Sequence, residues 1–267
     1  MQIIKVPGIN GLGKTYGCER AGNAVLASLK EIYSNEQGKP IDANLLDLEE
    51  IHLDNKNLDM TNKLIYENSL EAYDKEKVIF LGGDHSISYS TTKAFMKYCS
   101  QRGKHPCLIV FDSHPDCMPA NKNPTHEEWL RATVEKGFQA QNVLIVGLRN
   151  SDREELDYIR KSGIRTMSIN EVLTDIENAC DTLMEFASGK ELYVSLDIDV
   201  VDPAFAPATG YKEPGGLTSR QLIYMISRIN KMKNLRAVDI VEINAEKDKV
   251  YDNVTVKLGA KILSELL

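Results

Sequence analysis

The chain has 267 residues, 42% hydrophobic and 27% charged, with a formal net charge of −7. Those values suit one α/β domain of ordinary composition, and they argue against nucleic acid or an anionic membrane surface as the main partner. No run approaches the ~18 apolar residues of a membrane span, and Met1 to Pro7 carries no cleavable apolar leader, so a cytoplasmic location is expected. Cys18, Cys99, Cys107, Cys117 and Cys180 form no CxxC pair and are odd in number, which fits reduced thiols rather than a disulfide framework.

In chain order, a strand is predicted near 2–6. Gly8 to Thr15 follows and matches the phosphate-loop pattern GxxxxGK[ST]. A true phosphate loop needs a helix beginning at Lys14-Thr15, and Gly17 and Gly22 both weaken one there. Helices are predicted near 22–34 and 61–75, with the polar stretch Asp54 to Asp59 read as a surface loop. The apolar run Val78-Ile79-Phe80-Leu81 predicts a strand that ends in Gly82-Gly83-Asp84-His85-Ser86. The two glycines are expected to allow a tight backbone turn before His85.

A helix near 88–100 leads to a strand near 107–111, which ends in Asp112-Ser113-His114-Pro115-Asp116. Thr125-His126-Glu127-Glu128 reads as the start of a helix over 127–137, with Thr125 as N-cap and Glu128 completing a capping box. Strands near 143–147, 164–167, 192–197 and 237–242 alternate with helices near 152–162, 170–188, 218–231 and 252–265. Short apolar strands separated by helical stretches, with no polar alternation, imply βαβ crossovers and a mainly parallel sheet covered on both faces. No repeat or linker interrupts the pattern, so 1–267 is expected to be a single domain.

Three strand ends carry acids and histidines, and the carboxyl ends of parallel strands face a common crevice. In Asp197-Ile198-Asp199 the acids alternate with an apolar residue; along a strand they would share a face with Cα atoms roughly 6.6 Å apart, twice the rise per residue. Carboxylate oxygens and imidazole nitrogens suit divalent ions, and a metal pair needs carboxylates that can bridge it. These segments therefore predict a hydrolytic dimetal centre. Cys117 is read as a bystander, since thiolate suits hard ions poorly.

With Gly17 to Gly22, Val146-Gly147-Leu148-Arg149, Ala206 to Gly210, Gly215-Gly216-Leu217-Thr218 and Val241-Glu242-Ile243-Asn244, these motifs stand in the order and spacing of the ureohydrolases. The chain resembles that family (arginase, agmatinase, formiminoglutamase and relatives) over nearly its whole length. The resemblance implies a single-domain three-layer α/β/α fold and two Mn²⁺ ions, with Ni²⁺ or Zn²⁺ able to use the same ligands. One ion would be held by His85, Asp112, Asp116 and Asp197, the other by His114, Asp112, Asp197 and Asp199. Asp116 would also orient the attacking water and pass its proton to the leaving amine. Glu242 would pair with a small cationic guanidino substrate, and Asp202-Pro203 would shape the turn beneath the site. A homotrimer or hexamer is implied as well.

The family places a His-Gly pair downstream of Asp116 as a proton shuttle. His126 is the candidate here, with Glu127 standing where the glycine is expected. The Cys117 to Pro124 loop is short and lacks the Ser/Thr-Asn richness with which arginases grip an α-carboxylate, which favours agmatine. Against that, Asp152 matches a position that approaches the arginine α-amino group, and Pro207 to Gly210 is also arginase-like. Tyr211 and Lys212 replace a usual Thr-Pro, which alters the pocket wall. Arginine, guanidinobutyrate, guanidinopropionate and formiminoglutamate are the other substrates considered. A metal-dependent deacetylase, a P-loop NTPase and a catalytically silent metal-binding relative are the readings from other classes.

Overall fold

The computed structural model describes residues 1–267. In chain order the elements are β1 (Gln2–Val6), α1 (Ala21–Leu29), β2 (Leu48–Glu50), α2 (Leu58–Ala72), β3 (Val78–Gly82), α3 (Ile87–Gln101), β4 (Pro106–Phe111), α4 (Trp129–Glu135) and β5 (Val143–Leu148). They continue with α5 (Arg153–Ser162), β6 (Arg165–Ser168), α6 (Ile169–Thr174), α7 (Ile176–Ala187), β7 (Glu191–Asp197), α8 (Ser219–Ile229), β8 (Leu235–Val241), α9 (Ala245–Asp248) and α10 (Val254–Leu266). All strands join one sheet in the order β2-β1-β3-β8-β7-β4-β5-β6, and each neighbouring pair is parallel.

Period-two geometry sends alternate side chains to opposite faces of a strand. In β4, Cys107, Ile109 and Phe111 enter one hydrophobic core with α1, α6, α7, α8 and α10, whereas Leu108 and Val110 enter a second with α2 to α5. Ile79 and Leu81 of β3 likewise face the first core, and Val78 and Phe80 the second. Both faces are apolar because both are covered, which is why the runs show no polar alternation. The architecture is the expected three-layer α/β/α fold with a parallel sheet.

Several elements depart from expectation for local reasons. The edge strand β2 is Leu48-Glu49-Glu50, exposed throughout, and its charge blunts the sheet edge while removing any apolar signal. The predicted helix 170–188 is two helices, because the Asp175 backbone is extended and its carboxylate accepts from Asn178 N at the start of α7. The helix expected at 127–137 begins only at Trp129, after a turn over 126–128. Thr125 does bond Glu128, but Glu128 itself is the N-cap and makes no side-chain capping bond. Its carboxylate instead accepts from Thr125 Oγ1 and from Asn121 Nδ2, the latter at 2.9 Å.

The segment matching a phosphate loop packs onto a carboxylate. Asn10 N and Thr15 Oγ1 donate to Asp84 Oδ2 at 2.6 and 2.7 Å, and no α-helix starts before Ala21. The dipole and free amides that hold phosphate are therefore missing. Gly83 is needed here for a reason other than a turn. Its φ is not positive, and a Cβ at this position would lie 1.9 Å from the Gly8 carbonyl oxygen. The same Gly83 carbonyl accepts from Glu242 N at 3.0 Å, so this close approach helps fix where β8 ends.

Candidate metal centre and adjoining cavity

The strands β3, β8, β7 and β4 are consecutive in the sheet, so their carboxyl ends bring His85, Glu242, Asp197 and Asp112 side by side. His114 and Asp116 follow on the loop after β4. Asp116 and Glu242 both adopt left-handed backbone conformations, with φ of 50° and 64°. Such strain in a non-glycine residue persists only where the surroundings enforce it, and it concentrates at functional sites.

His85 Nδ1 faces three carboxylate oxygens, at 3.1 Å from Asp112, 3.0 Å from Asp116 and 3.2 Å from Asp197. One ring nitrogen cannot align with all three, and both Nδ1 and Asp112 Oδ2 are buried without a hydrogen-bond partner. His114 Nδ1 lies 2.9 Å from Asp199 Oδ2 and 3.6 Å from Asp112 Oδ1. Two ligand clusters result, His85–Asp112–Asp116 and Asp112–His114–Asp199, with Asp112 common to both. Asp197 adjoins the first through His85. Strand β7 stops at Asp197, and 198–200 form a 3₁₀ turn in which Asp199 N donates to Asp197 Oδ1 at 2.7 Å. This corrects the expectation of two acids projecting from one strand; a turn folds Asp199 back toward His114.

The donor set fits divalent cations. Burial opposes a positive His85, yet the carboxylates of Asp112, Asp116 and Asp197 outweigh it and push its pKa well above the ordinary imidazole value. Burial, reinforced by Asp112, raises the Asp116 carboxyl to about 7. Burial also raises Glu242 well above the usual carboxylate range, with Asp197 and Asp84 adding to it. A buried group of anions in this condition calls for added positive charge.

Further side chains hold the ligands, as metal sites require. His85 Nε2 is 2.9 Å from Ser195 Oγ, which donates to the buried Asp239 at 2.7 Å. Trp129 Nε1 donates to Asp116 Oδ2 at 2.7 Å, and its ring lies against His85 with centroids 4.6 Å apart. Arg149 binds the carbonyls of Asp199 and Glu213, both at 2.6 Å, joining the two loops behind His114. The sequence assigns none of these four supporting residues, Ser195, Asp239, Trp129 and Arg149, to the site; Arg149 stands in the Val146 to Arg149 motif, and Trp129 is the single tryptophan, beside the His126 segment. Asp202 serves as the expected turn former, accepting from Ala204 N, Gly215 N and Gly216 N. Cys117 is buried, and burial pushes its thiol well up, which suits a bystander.

A cavity of about 340 Å³ opens beside the ligands, lined in part by His114, Asp116, His126, Glu127, Asp152 and Tyr211. His126 is 5% exposed, so it is no surface residue; both its ring nitrogens lack partners, and burial lowers its pKa. Its ring stacks on Tyr211 at 5.6 Å. Asp152 reaches the same wall while its carboxylate caps α5 through Glu154 N. Glu242, 3% exposed, is not among the residues lining this cavity; its Oε1 accepts from His85 N at 2.9 Å.

A parallel α/β sheet with a paired acid–imidazole ligand set at its carboxyl edge defines the class of binuclear metal-site proteins. Within that class, the arginase family profile matches residues 1–267, and the chain belongs to the arginase family. An arginase of Arabidopsis thaliana is 32% identical over 195 residues, covering 70% of this chain and 53% of that protein. An agmatinase of Bacillus subtilis is 31% identical over 194 residues, covering 70% and 61%. The chain thus spans a little over half the length of these curated relatives. In fold, it is similar to the formimidoylglutamase of Bacillus subtilis at a TM-score of 0.88 and 24% identity, covering 99% of this chain and 85% of that one.

Asp112 belongs to both ligand clusters, so Asp112→Asn is expected to lose both divalent ions rather than one. Elemental analysis of the purified variant after dialysis checks this. Retention of about one ion per chain would show that the clusters do not share Asp112.

Proposed function

We propose that the protein is a dimanganese ureohydrolase that releases urea from a linear guanidine lacking a carboxylate, with agmatine the leading substrate. The observation that carries this reading is the charge of the cavity wall. Asp116, Glu127, Asp152 and Glu155 line it, and no lysine or arginine does. The polar residues of the 117–124 loop are engaged elsewhere. Lys122 is 79% exposed on its ion pair with Asp59, Asn123 Nδ2 donates to the same aspartate, and Asn121 donates to Glu128. An arginine carboxylate at the outer part of this cavity would meet Glu127, Asp152 and Glu155 and no lysine or arginine, and an unpaired buried charge costs several kcal/mol. Arginine and the other guanidino acids, with formiminoglutamate, form the second reading, kept by the mixture of names among the relatives.

In this reading one ion would be held by His85, Asp112, Asp116 and Asp197, and the other by His114, Asp112, Asp197 and Asp199. The ions, when bound, supply the positive charge that acidifies a water and polarises the amidine carbon. Asp116 orients that water and carries its proton; the Trp129 hydrogen bond holds the carboxylate in place for it. Glu242 pairs with the guanidinium, a cation that would relieve the buried carboxylate whose pKa is raised. His126, neutral and with free ring nitrogens, moves protons between the site and the cavity. Asp152 adds negative potential near the distal end of the substrate. Five buried free thiols support a reducing cytoplasm, and no helix is long and apolar enough to cross a membrane. A homotrimer or hexamer is proposed on the family resemblance alone, and light scattering of the purified chain measures it.

Urea release with Mn²⁺, measured side by side on agmatine, arginine, guanidinobutyrate, guanidinopropionate and formiminoglutamate, tests the substrate. The highest kcat/KM is expected for agmatine, and a preference for arginine would overturn the charge argument. In His126→Asn, turnover of the best substrate should fall about 10²–10⁴-fold at unchanged metal content. A rate near wild type would remove His126 from the proton path.

A further inference from the structure

We infer that Glu127 recognises the second positive charge of the substrate, with Tyr211 holding its carboxylate in position. The inference rests on the guanidine-hydrolase reading above and adds to it a residue that selects the far end of the ligand.

Four carboxylates line the cavity, and three of them accept from protein N–H groups. Asp116 takes the Trp129 indole N–H and faces His85. Asp152 caps the first turn of α5. Glu155 accepts from Cys117 N at 2.8 Å and from Asp152 N at 3.0 Å. Glu127 accepts only from the Tyr211 hydroxyl, at 3.0 Å on Oε1, and no lysine or arginine lies within ion-pair distance of it. The nearest cationic candidate is His126 Nε2 at 3.8 Å, and burial disfavours its charge. Glu127 and Asp152 thus each keep one oxygen, Oε2 and Oδ2, free for a ligand cation, but the Asp152 carboxylate is tied to the start of α5, whereas Glu127 is tied to Tyr211, next to the Gly210 that packs on Glu242.

Its position suits a ligand extended from the metal ligands outward. Gly210 stands against Glu242, where a Cβ would lie 3.2 Å from Glu242 Oε2. Tyr211 is the next residue, and its hydroxyl reaches Glu127. One peptide step and one tyrosine side chain thus separate the acid that would meet the guanidinium from the acid that would meet the distal charge. Tyr211 is kept there by its stack on His126 and an edge contact with His114, ring centroids 5.8 Å apart. A ligand with an ammonium at this point gains a charge-assisted hydrogen bond to Glu127. One with a carboxylate there is repelled, so the same side chain both attracts and excludes.

The experiment compares kcat/KM for agmatine and for n-butylguanidine, which has the same chain length without the distal ammonium. Wild-type protein should prefer agmatine, and Glu127→Gln should lower the agmatine-to-butylguanidine ratio about ten- to hundredfold, the scale of one charge-assisted hydrogen bond. Tyr211→Phe keeps the ring stack and loses the hydroxyl; it should move the ratio in the same direction by less, chiefly through KM. An unchanged ratio in Glu127→Gln, with metal content intact, would overturn the inference. If wild-type protein hydrolyses neither guanidine, the proposed reaction falls, and calorimetry decides the role of Glu127 separately. The affinity for 1,4-diaminobutane relative to butylamine should drop in Glu127→Gln by a similar factor, and an equal relative affinity would overturn the assignment.

Discussion

Mutual repulsion among buried carboxylates is the constraint on which the rest of this structure depends. Asp112, Asp116, Asp197, Asp199 and Glu242 are all buried within one small region, with only His85 and His114 interleaved. Anions kept from water at such spacing cost far more than the fold can spare unless positive charge joins them. The scaffold holds them together all the same. Four neighbouring parallel strands aim their carboxyl ends at one point, Asp116 and Glu242 accept left-handed backbone conformations, and Ser195, Asp239, Trp129 and Arg149 fix the ligands and their loops. A set of buried acids and imidazoles held this firmly by its scaffold fits divalent cations.

Much of this was legible in the sequence, because strand ends and ligand spacing are local properties. The runs before His85, Asp112 and Asp197 mark strands buried on both faces, and chemistry-bearing residues at strand ends are what a parallel sheet brings together. What local reading lacked was the lateral order β3-β8-β7-β4, which places Glu242 beside His85 although 157 residues separate them in sequence. The edge strand β2 carried no apolar signal, and the break at Asp175 depends on one capping carboxylate. Asp197-Ile198-Asp199 was misread in geometry: its alternation looks like strand, but the 3₁₀ turn after Asp197 changes how the two acids meet.

The far end of the cavity was harder to foresee, since its character comes from contacts between distant segments. Glu127 looked like part of a helix start, and its bond to Tyr211 crosses 84 residues. Lys122 is the one lysine of the 117–124 loop, yet its partner is Asp59 on α2, away from the cavity. Asp84 offers the opposite lesson. It sits among metal ligands in sequence, but its oxygens serve Asn10, Thr15 and Ser86 and pin down the loop that imitates a phosphate cradle. Residue type and spacing pointed to a donor set fit for metal ions; the identity of the substrate depends on which side chains remain unpaired after folding.

The claim that this acid cluster is built for two divalent ions is tested most directly by anomalous diffraction at the manganese edge from crystals grown with Mn²⁺. Two peaks roughly 3.5–4 Å apart are expected, as in paired-metal sites. One should lie among His85, Asp112 and Asp116, and the other among Asp112, His114 and Asp199. A single peak, or peaks away from these residues, would contradict the account.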